Sequence, residues 1–322
     1  MDKFIGLTVD ALTLGSVYAL IALGYTMVYG VLKLLNFAHG DVFMVGTYIG
    51  FGLLRALGGS SNPVVPVWAV LILITLGAMA GCATIGVVIE RFAYRPLRDA
   101  PRIAPLISAL GVSFFLAYSV QLLFGAEQRD YGSFALCNTC LYTKGFSIGA
   151  VHIALLRIVI VAAAFALMIA LWFLVNRTRT GKAMRATSFD REAAAMMGID
   201  IDRVIVFTFV LGSALAGAAG VLTAIRVPTQ PSLGFIYGLK GFTAAVIGGI
   251  GSIPGAMAGG LILGFAESYG AGYIDAVHIG GFRIWAEASG TRWTDLVIFV
   301  ILIGFMIARP QGLLGRPDIK KV

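Results

Sequence analysis

Apolar residues run in blocks of about twenty, broken by short polar stretches, and a block of that length lets a helix cross a hydrocarbon core of roughly 30 Å. The first block covers about Phe4 to Leu32, with Asp10 near its start and Lys33 just past its end. It is too long for the apolar region of a signal peptide and has no convincing cleavage site, so it is expected to remain as a span. Asp41 opens a second block that ends near Leu57, and the run SSNPVVP then predicts a turn before a third block from Trp68 to Glu90. A fourth span is expected over Ile103 to Phe124, a fifth over Val151 to Val175 and a sixth over Val204 to Ile225.

The pattern then becomes irregular. Residues Arg226 to Lys240 mix prolines, glycines and aromatics, and GGIGSIPG interrupts an apolar stretch reaching Tyr273. This predicts a helix broken twice. Such backbone persists at membrane depth only where protein or a watery cavity shields it. A last span is expected over about Trp293 to Ala308, before the polar tail RPQGLLGRPDIKKV.

Composition agrees with a membrane class. The chain is 59% hydrophobic and 12% charged, with a mean hydropathy of +0.91, too little polar surface for a soluble fold. The alternating segments of about ten residues that build a porin-like barrel are absent. The net charge of +8 does not point to nucleic acid, because 14 of the 24 Lys and Arg lie in the stretches 91–102, 176–203 and 309–322. Short basic stretches between spans mark the cytosolic side. The N-terminus is therefore expected outside and the C-terminus in the cytosol, which requires an odd number of crossings.

The longest polar interruption is Asn176 to Arg203. Within it, FDREAAAMMGI places Asp190 as an N-cap, Glu192 in the first helical turn and Gly198 as a stop. A short exposed helix is predicted, with Ala193, Met196 and Met197 forming a small, soft face able to lie in a partner's groove.

Glu192, Ala193 and Ala194, followed by Gly198 in a basic loop, resemble the EAA signature of ABC-importer permeases. The strings LGSVYAL over 14–20, LNFAHGD over 35–41 and GGIGSIPG over 248–255 are similar to branched-chain amino-acid permeases of the LivH type, and the likeness covers nearly the whole chain. The resemblance implies a single transmembrane permease domain over 1–322, with a cytosolic coupling loop at about 176–203. The fold class is then all-α, a polytopic membrane helix bundle of about eight or nine spans with a glycine-broken or re-entrant pair. It also implies a second homologous permease subunit, two cytosolic ATPase subunits that use ATP and Mg, a periplasmic solute-binding protein and the lipid of a bacterial inner membrane. This chain binds no cofactor of its own on that reading and is no enzyme. No G-x-x-x-x-G-K-[ST] loop is present, because Gly181-Lys182 lacks the upstream glycine and the following hydroxyl residue. Systems for amides, urea or aromatic acids stay open as alternatives, as does an ion-coupled secondary transporter or channel that uses Glu267, His39 and Asp41.

One internal echo bears on the route. At an offset of 198, Leu35, Phe37, Gly40, Ile49 and Gly50 match Leu233, Phe235, Gly238, Ile247 and Gly248. Paired glycine-interrupted segments in two halves of a transporter point to its pathway. The candidate pathway or gate residues are Asn36, Phe37, His39 and Asp41 in the first half, and Phe235, Tyr237, Lys240, Gly249, Gly251 and Glu267 in the second. For each a structural reading stands beside this one: His39 as a hydrogen-bonding residue at a boundary, and Glu267 as a solvated group near the interface. Cys137 and Cys140 form a C-x-x-C in a segment expected outside, where a local disulfide, free thiols and a metal or redox role are the readings; the compartment favours the disulfide. No second cysteine pair and no histidine cluster accompany them, and no metal site is expected.

Overall fold

The computed structural model describes residues 2–57, 67–98, 100–101, 103–131, 145–148, 151–274, 299–300, 302–309 and 311–315. The cysteine pair at 137 and 140 and the first part of the last span lie outside the described residues.

Helix α1 (Asp2–Leu32) is apolar on all sides, and from Tyr18 to Leu23 it is sealed by neighbours at every position. A helix without a polar face can lie in lipid or in a protein core, and here protein neighbours cover it, which puts it at the centre of the bundle. Its antiparallel partner is α8 (Ile201–Ala224). Their ends are pinned at both extremes. Arg226, just past α8, donates to Asp10 Oδ1 at 2.8 Å, and Arg157 meets the same oxygen at 3.1 Å. At the other end Arg191, ten residues before the start of α8, reaches Val31 near the end of α1.

Around this pair the chain repeats itself with inverted direction. Helix α3 (Val67–Ile89), which continues as a wider turn over Glu90–Tyr94 and a tighter one over Arg95–Leu97, packs along α8. In the second half α10 (Ile253–Ile274) packs along α1 in the same way. Glycine permits both close approaches. A Cβ on Gly264 would lie 2.3 Å from Gly15 Cα, and one on Gly217 would lie 2.6 Å from the Ala78 carbonyl oxygen. The small-residue pairs at 46/50, 77/81 and 260/264 thus pack within the chain: Gly46 on Gly217, Gly77 on Leu53, Gly81 on Ile49, and Gly260 on Ala19.

Between these full-length helices sit two that start inside the bundle. Helix α2 (His39–Ala56) begins where His39 lies against Gly24, about 12 Å in from the end of α1 at Leu32 by the helical rise. Helix α9 (Leu233–Gly248) meets Tyr18 through Tyr237, its fifth residue, at a similar depth from the opposite end marked by Asp10. Gly249 and Gly251, both with positive φ (101° and 93°), turn the chain from α9 into α10. The backbone over 311–315 satisfies carbonyls at the end of α9, with Leu313 N and Leu314 N donating to Ile247 O (2.9 Å) and Gly248 O (3.0 Å).

Five described helices are long and apolar enough to cross a bilayer: Asp2–Leu32, Trp68–Leu97, Ile103–Phe124, Leu155–Arg177 and Ile201–Ala224. The bundle is therefore polytopic and helical. Outward faces of α4 (Ile103–Phe124) and α5 (Leu155–Arg177) expose Phe114, Phe115, Tyr118, Leu122, Leu123 and Phe173, a belt that lipid solvates and water does not. Two expectations change in detail. The fifth span starts at Leu155, because Val151–Ala154 pairs antiparallel with Gly145–Ile148 in a short β-hairpin, β1 and β2, outside the all-α bundle. The polar stretch after it is mostly helical.

Candidate coupling helix and translocation core

The polar stretch folds as two helices joined by one residue. Thr178 caps α6 (Arg179–Phe189) by accepting from Gly181 N at 3.1 Å. Asp190 has extended backbone, ends α6 and caps α7 (Arg191–Met196) by accepting from Ala193 N at 3.1 Å. A side-chain oxygen at this position satisfies an amide that has no partner within the helix. Gly198 closes α7 with φ +80°, its N–H donating to Ala195 O at 2.9 Å while Ile199 N reaches Ala194 O at 3.1 Å. That left-handed backbone is open to glycine at little cost. Within the signature, Ala194 turns inward and is buried, while Glu192 and Ala193 stay exposed. Phe189 at the end of α6, Met196 at the end of α7 and Met197 just after it are each 82% exposed, a large apolar area around the short helix.

Arginines fasten this module to the bundle, a role that their count in the sequence does not assign. Arg191 Nη2 donates to Val31 O at 2.9 Å, and Arg185 donates to Val175 O. Each guanidinium satisfies a carbonyl left open near a helix C-terminus, where a cation also meets the negative end of the helix dipole. Arg98 pairs with both Glu90 and Asp202, and Arg95 with Asp202, which joins the end of α3 to the first turn of α8. Burial, and then the nearby Arg98 charge, lower the Arg191 guanidinium below the ordinary arginine value.

The echoed segments meet each other at the centre. A Cβ on Gly40 would lie 2.3 Å from Gly234 O and 2.7 Å from Gly238 Cα, and one on Gly238 would lie 2.8 Å from Gly40 Cα. The residues related by the 198-residue offset are thus in contact, and two helix N-termini face one another. Their partial positive charges oppose, and Asp41 answers both. It lies in the first turn of α2, its Oδ1 sits over Gly234 in the first turn of α9, and its Oδ2 accepts from the Ser113 hydroxyl of α4.

The other named residues divide by environment. Asn36 is buried, and its Oδ1 accepts from Ala38 N and from the Tyr94 hydroxyl, each at 3.1 Å. His39 fits edge-on to Tyr25 with centroids 4.7 Å apart, and its Nε2 occupies the space a Cβ on Gly24 would need, at 2.1 Å. Tyr237 stacks on Phe43 at 5.4 Å, and Phe37 faces Phe242 at 6.3 Å. Phe235 is 73% exposed and points away from this centre. Glu267 is neither solvated nor isolated: Lys240 Nζ donates to its Oε1 at 2.8 Å and Tyr18 OH to its Oε2 at 2.7 Å, joining α9, α10 and α1. The sequence offered no signal for Gly24 or Ser113, and Tyr18 stood only within the LGSVYAL string, because each acquires its role from a residue distant in the chain. Among the described residues no group of three His, Cys, Asp or Glu is placed to hold a metal.

The family profile described as branched-chain amino acid transport system / permease component matches residues 7–306. The chain belongs to this permease family. It is 41% identical over 320 residues to the high-affinity branched-chain amino acid transport system permease protein BraD of Pseudomonas aeruginosa, covering 98% of this chain and 96% of that one. Identity to LivH of Escherichia coli K12 is also 41%, over 317 residues, 97% of this chain and 96% of the relative. A probable LivH from Methanocaldococcus jannaschii is 28% identical over 319 residues, 97% and 92% of the two chains. The permease identity thus extends across both the capped helix α7 and the central pair of half-helices.

Proposed function

We propose that this permease is the membrane subunit of an ATP-driven importer that moves branched-chain amino acids across a bacterial inner membrane. The observation that carries the reading is α7, a short helix capped by Asp190, stopped by Gly198, flanked by the exposed side chains of Phe189, Met196 and Met197, and fastened to α1 through Arg191. Partner ATPases, using ATP and Mg, dock on that face. Their closure displaces α7, and Arg191 passes the displacement to α1. Helix α1 carries Gly24, on which His39 and the start of α2 rest, so the movement reaches the contact between α2 and α9. Coupling is mechanical, because only a rigid path of helix and hydrogen bond is needed to bias a packed contact between two arrangements.

In this reading the α7 end lies in the cytosol, the opposite end meets a periplasmic solute-binding protein, and a second permease subunit completes the route. Selectivity rests with the binding protein. Half-helices that begin inside a bundle place backbone dipoles along a path, as discontinuous helices do in transporters. The test is uptake of labelled leucine by vesicles holding this chain, a second permease, the ATPases and the binding protein. Uptake should need ATP hydrolysis and loaded binding protein. Uptake driven by an ion gradient in the absence of ATPases would replace this reading with a secondary transporter.

A further inference from the structure

A pocket of about 550 Å³ opens between α7 and the ends of α1 and α4. Its charged lining comes from both sides: Lys33 and Arg98 from the bundle, and Asp190, Arg191 and Glu192 from the α7 module. Leu34, Pro105 and Phe189 add apolar surface. Lys33 has a φ of 57°, an uncommon backbone for a residue other than glycine, which turns the chain back at the end of α1. Among the described lining residues three of the five charges already have partners: Arg98 on Glu90 and Asp202, Asp190 on the α7 cap, and Arg191 on Val31 O through one of its nitrogens. Lys33, Glu192 and the remaining N–H groups of Arg191 are what an entering molecule meets. Lys33 and Arg191 both line the pocket, and Arg98 is already paired, so an anionic oxygen has two cations to rest on. A molecule carrying only negative charge meets Glu192 and Asp190 as well, which disfavours it.

We propose that this pocket binds a small zwitterion with an apolar body, its anionic oxygens on Lys33 and Arg191 and its ammonium on Glu192, and that occupancy holds α7 against the bundle and slows coupling. The second clause rests on α7 being the coupling helix. Two sources supply this chemistry on the α7 side: an apolar amino acid delivered there, or the ethanolamine headgroup of a phospholipid.

The experiment uses the complete complex with its ATPases, reconstituted in phosphatidylcholine and phosphatidylglycerol without ethanolamine lipid. Labelled leucine, added without binding protein, should bind saturably. Lys33→Gln should weaken that binding about tenfold, the scale of one charge-assisted hydrogen bond, whereas Lys33→Arg should retain it and Arg55→Gln, at the far end of α2, should leave it alone. Leucine preloaded on the ATPase side should inhibit ATP-driven uptake, with Lys33→Gln shifting the inhibition about tenfold and leaving uptake without preload unchanged. If leucine does not bind and mass spectrometry of complex from native membranes instead finds an ethanolamine lipid retained by Arg55→Gln and lost in Lys33→Gln, the headgroup is the ligand. Absence of any Lys33-dependent ligand overturns the site. Uptake without preload reads the importer assignment separately: its failure, with Lys33-dependent binding intact, removes that assignment and leaves the pocket.

Discussion

Arg191 Nη2 donates to the carbonyl oxygen of Val31 at 2.9 Å, joining the first residue of α7 to the last turn of α1. This contact is local to neither partner, since 160 residues separate them. It gives the exposed module a direct attachment to the central helix of the bundle.

Removal of that attachment should separate docking from transport. Arg191→Ala takes away a charged hydrogen bond worth about 1.5 to 3 kcal/mol. ATPase association should persist, because the apolar face of Phe189, Met196 and Met197 is untouched, while uptake per ATP hydrolysed should fall by about tenfold or more. Uptake and hydrolysis measured together in vesicles decide this; an unchanged ratio removes Arg191 from the coupling path.

Gly198 separates backbone strain from charge. With φ +80° and nothing within 4 Å of an added Cβ, substitution strains the backbone and meets no clash. Gly198→Asn should be nearly silent, since asparagine tolerates this conformation. Gly198→Asp carries a similar backbone but adds a charge beside the docking face. It should keep normal abundance and lose ATPase association in a pull-down. Full uptake with an intact complex in Gly198→Asp would exclude docking by this helix.

The central contact admits no side chain. Gly40→Val would drive its Cβ into the Gly234 carbonyl and Gly238 Cα, backbone atoms that cannot rotate away. Overpacking of this kind costs about 1 to 3 kcal/mol. A lower unfolding temperature in detergent and strongly reduced uptake are expected. Gly52→Val on the same helix, with open space around its Cβ, should change neither. Equal effects of the two substitutions would mean that general insertion, and not the α2–α9 contact, is at stake.

The pair Lys240–Glu267 should behave as a unit. Glu267→Gln leaves a buried ammonium without its carboxylate, and breaking a buried pair in this way costs about 3 to 5 kcal/mol. The double variant Lys240→Met, Glu267→Leu should recover most of that stability in a thermal melt. If its uptake also recovers, the pair holds α9, α10 and α1 together and carries no part of transport. Restored stability without uptake assigns the charges to the route.

Local signals in the chain were enough for the apolar spans and for the short helix α7, but not for the pairing of β1 with β2. Blocks of apolar residues imposed membrane helices, since a backbone in lipid must satisfy its own amides. Asp190 and Gly198 marked α7 because a cap and a left-handed stop act within four residues of themselves, and the EAA string with three further motifs carried the family. The glycines of GGIGS announced a break between α9 and α10. Fold class, membrane character and the short capped helix α7 were therefore legible in the sequence.

Tertiary structure decided what faces what. Helix α1 is apolar on every side, so no periodicity in it foretells that Gly24 receives His39 or that Tyr18 meets Glu267. The echo between the two halves identified Gly40 and Gly238 as equivalent, yet only the folded chain brings them into contact. Likewise the arginines of the polar stretch read as a topology signal, whereas Arg185 and Arg191 serve the open carbonyls of α5 and α1. The physical reason is common to these cases. A cap or a stop is determined by neighbours in sequence, but the partner of a glycine, a buried carboxylate or a helix-end carbonyl is fixed by packing between segments up to 249 residues apart.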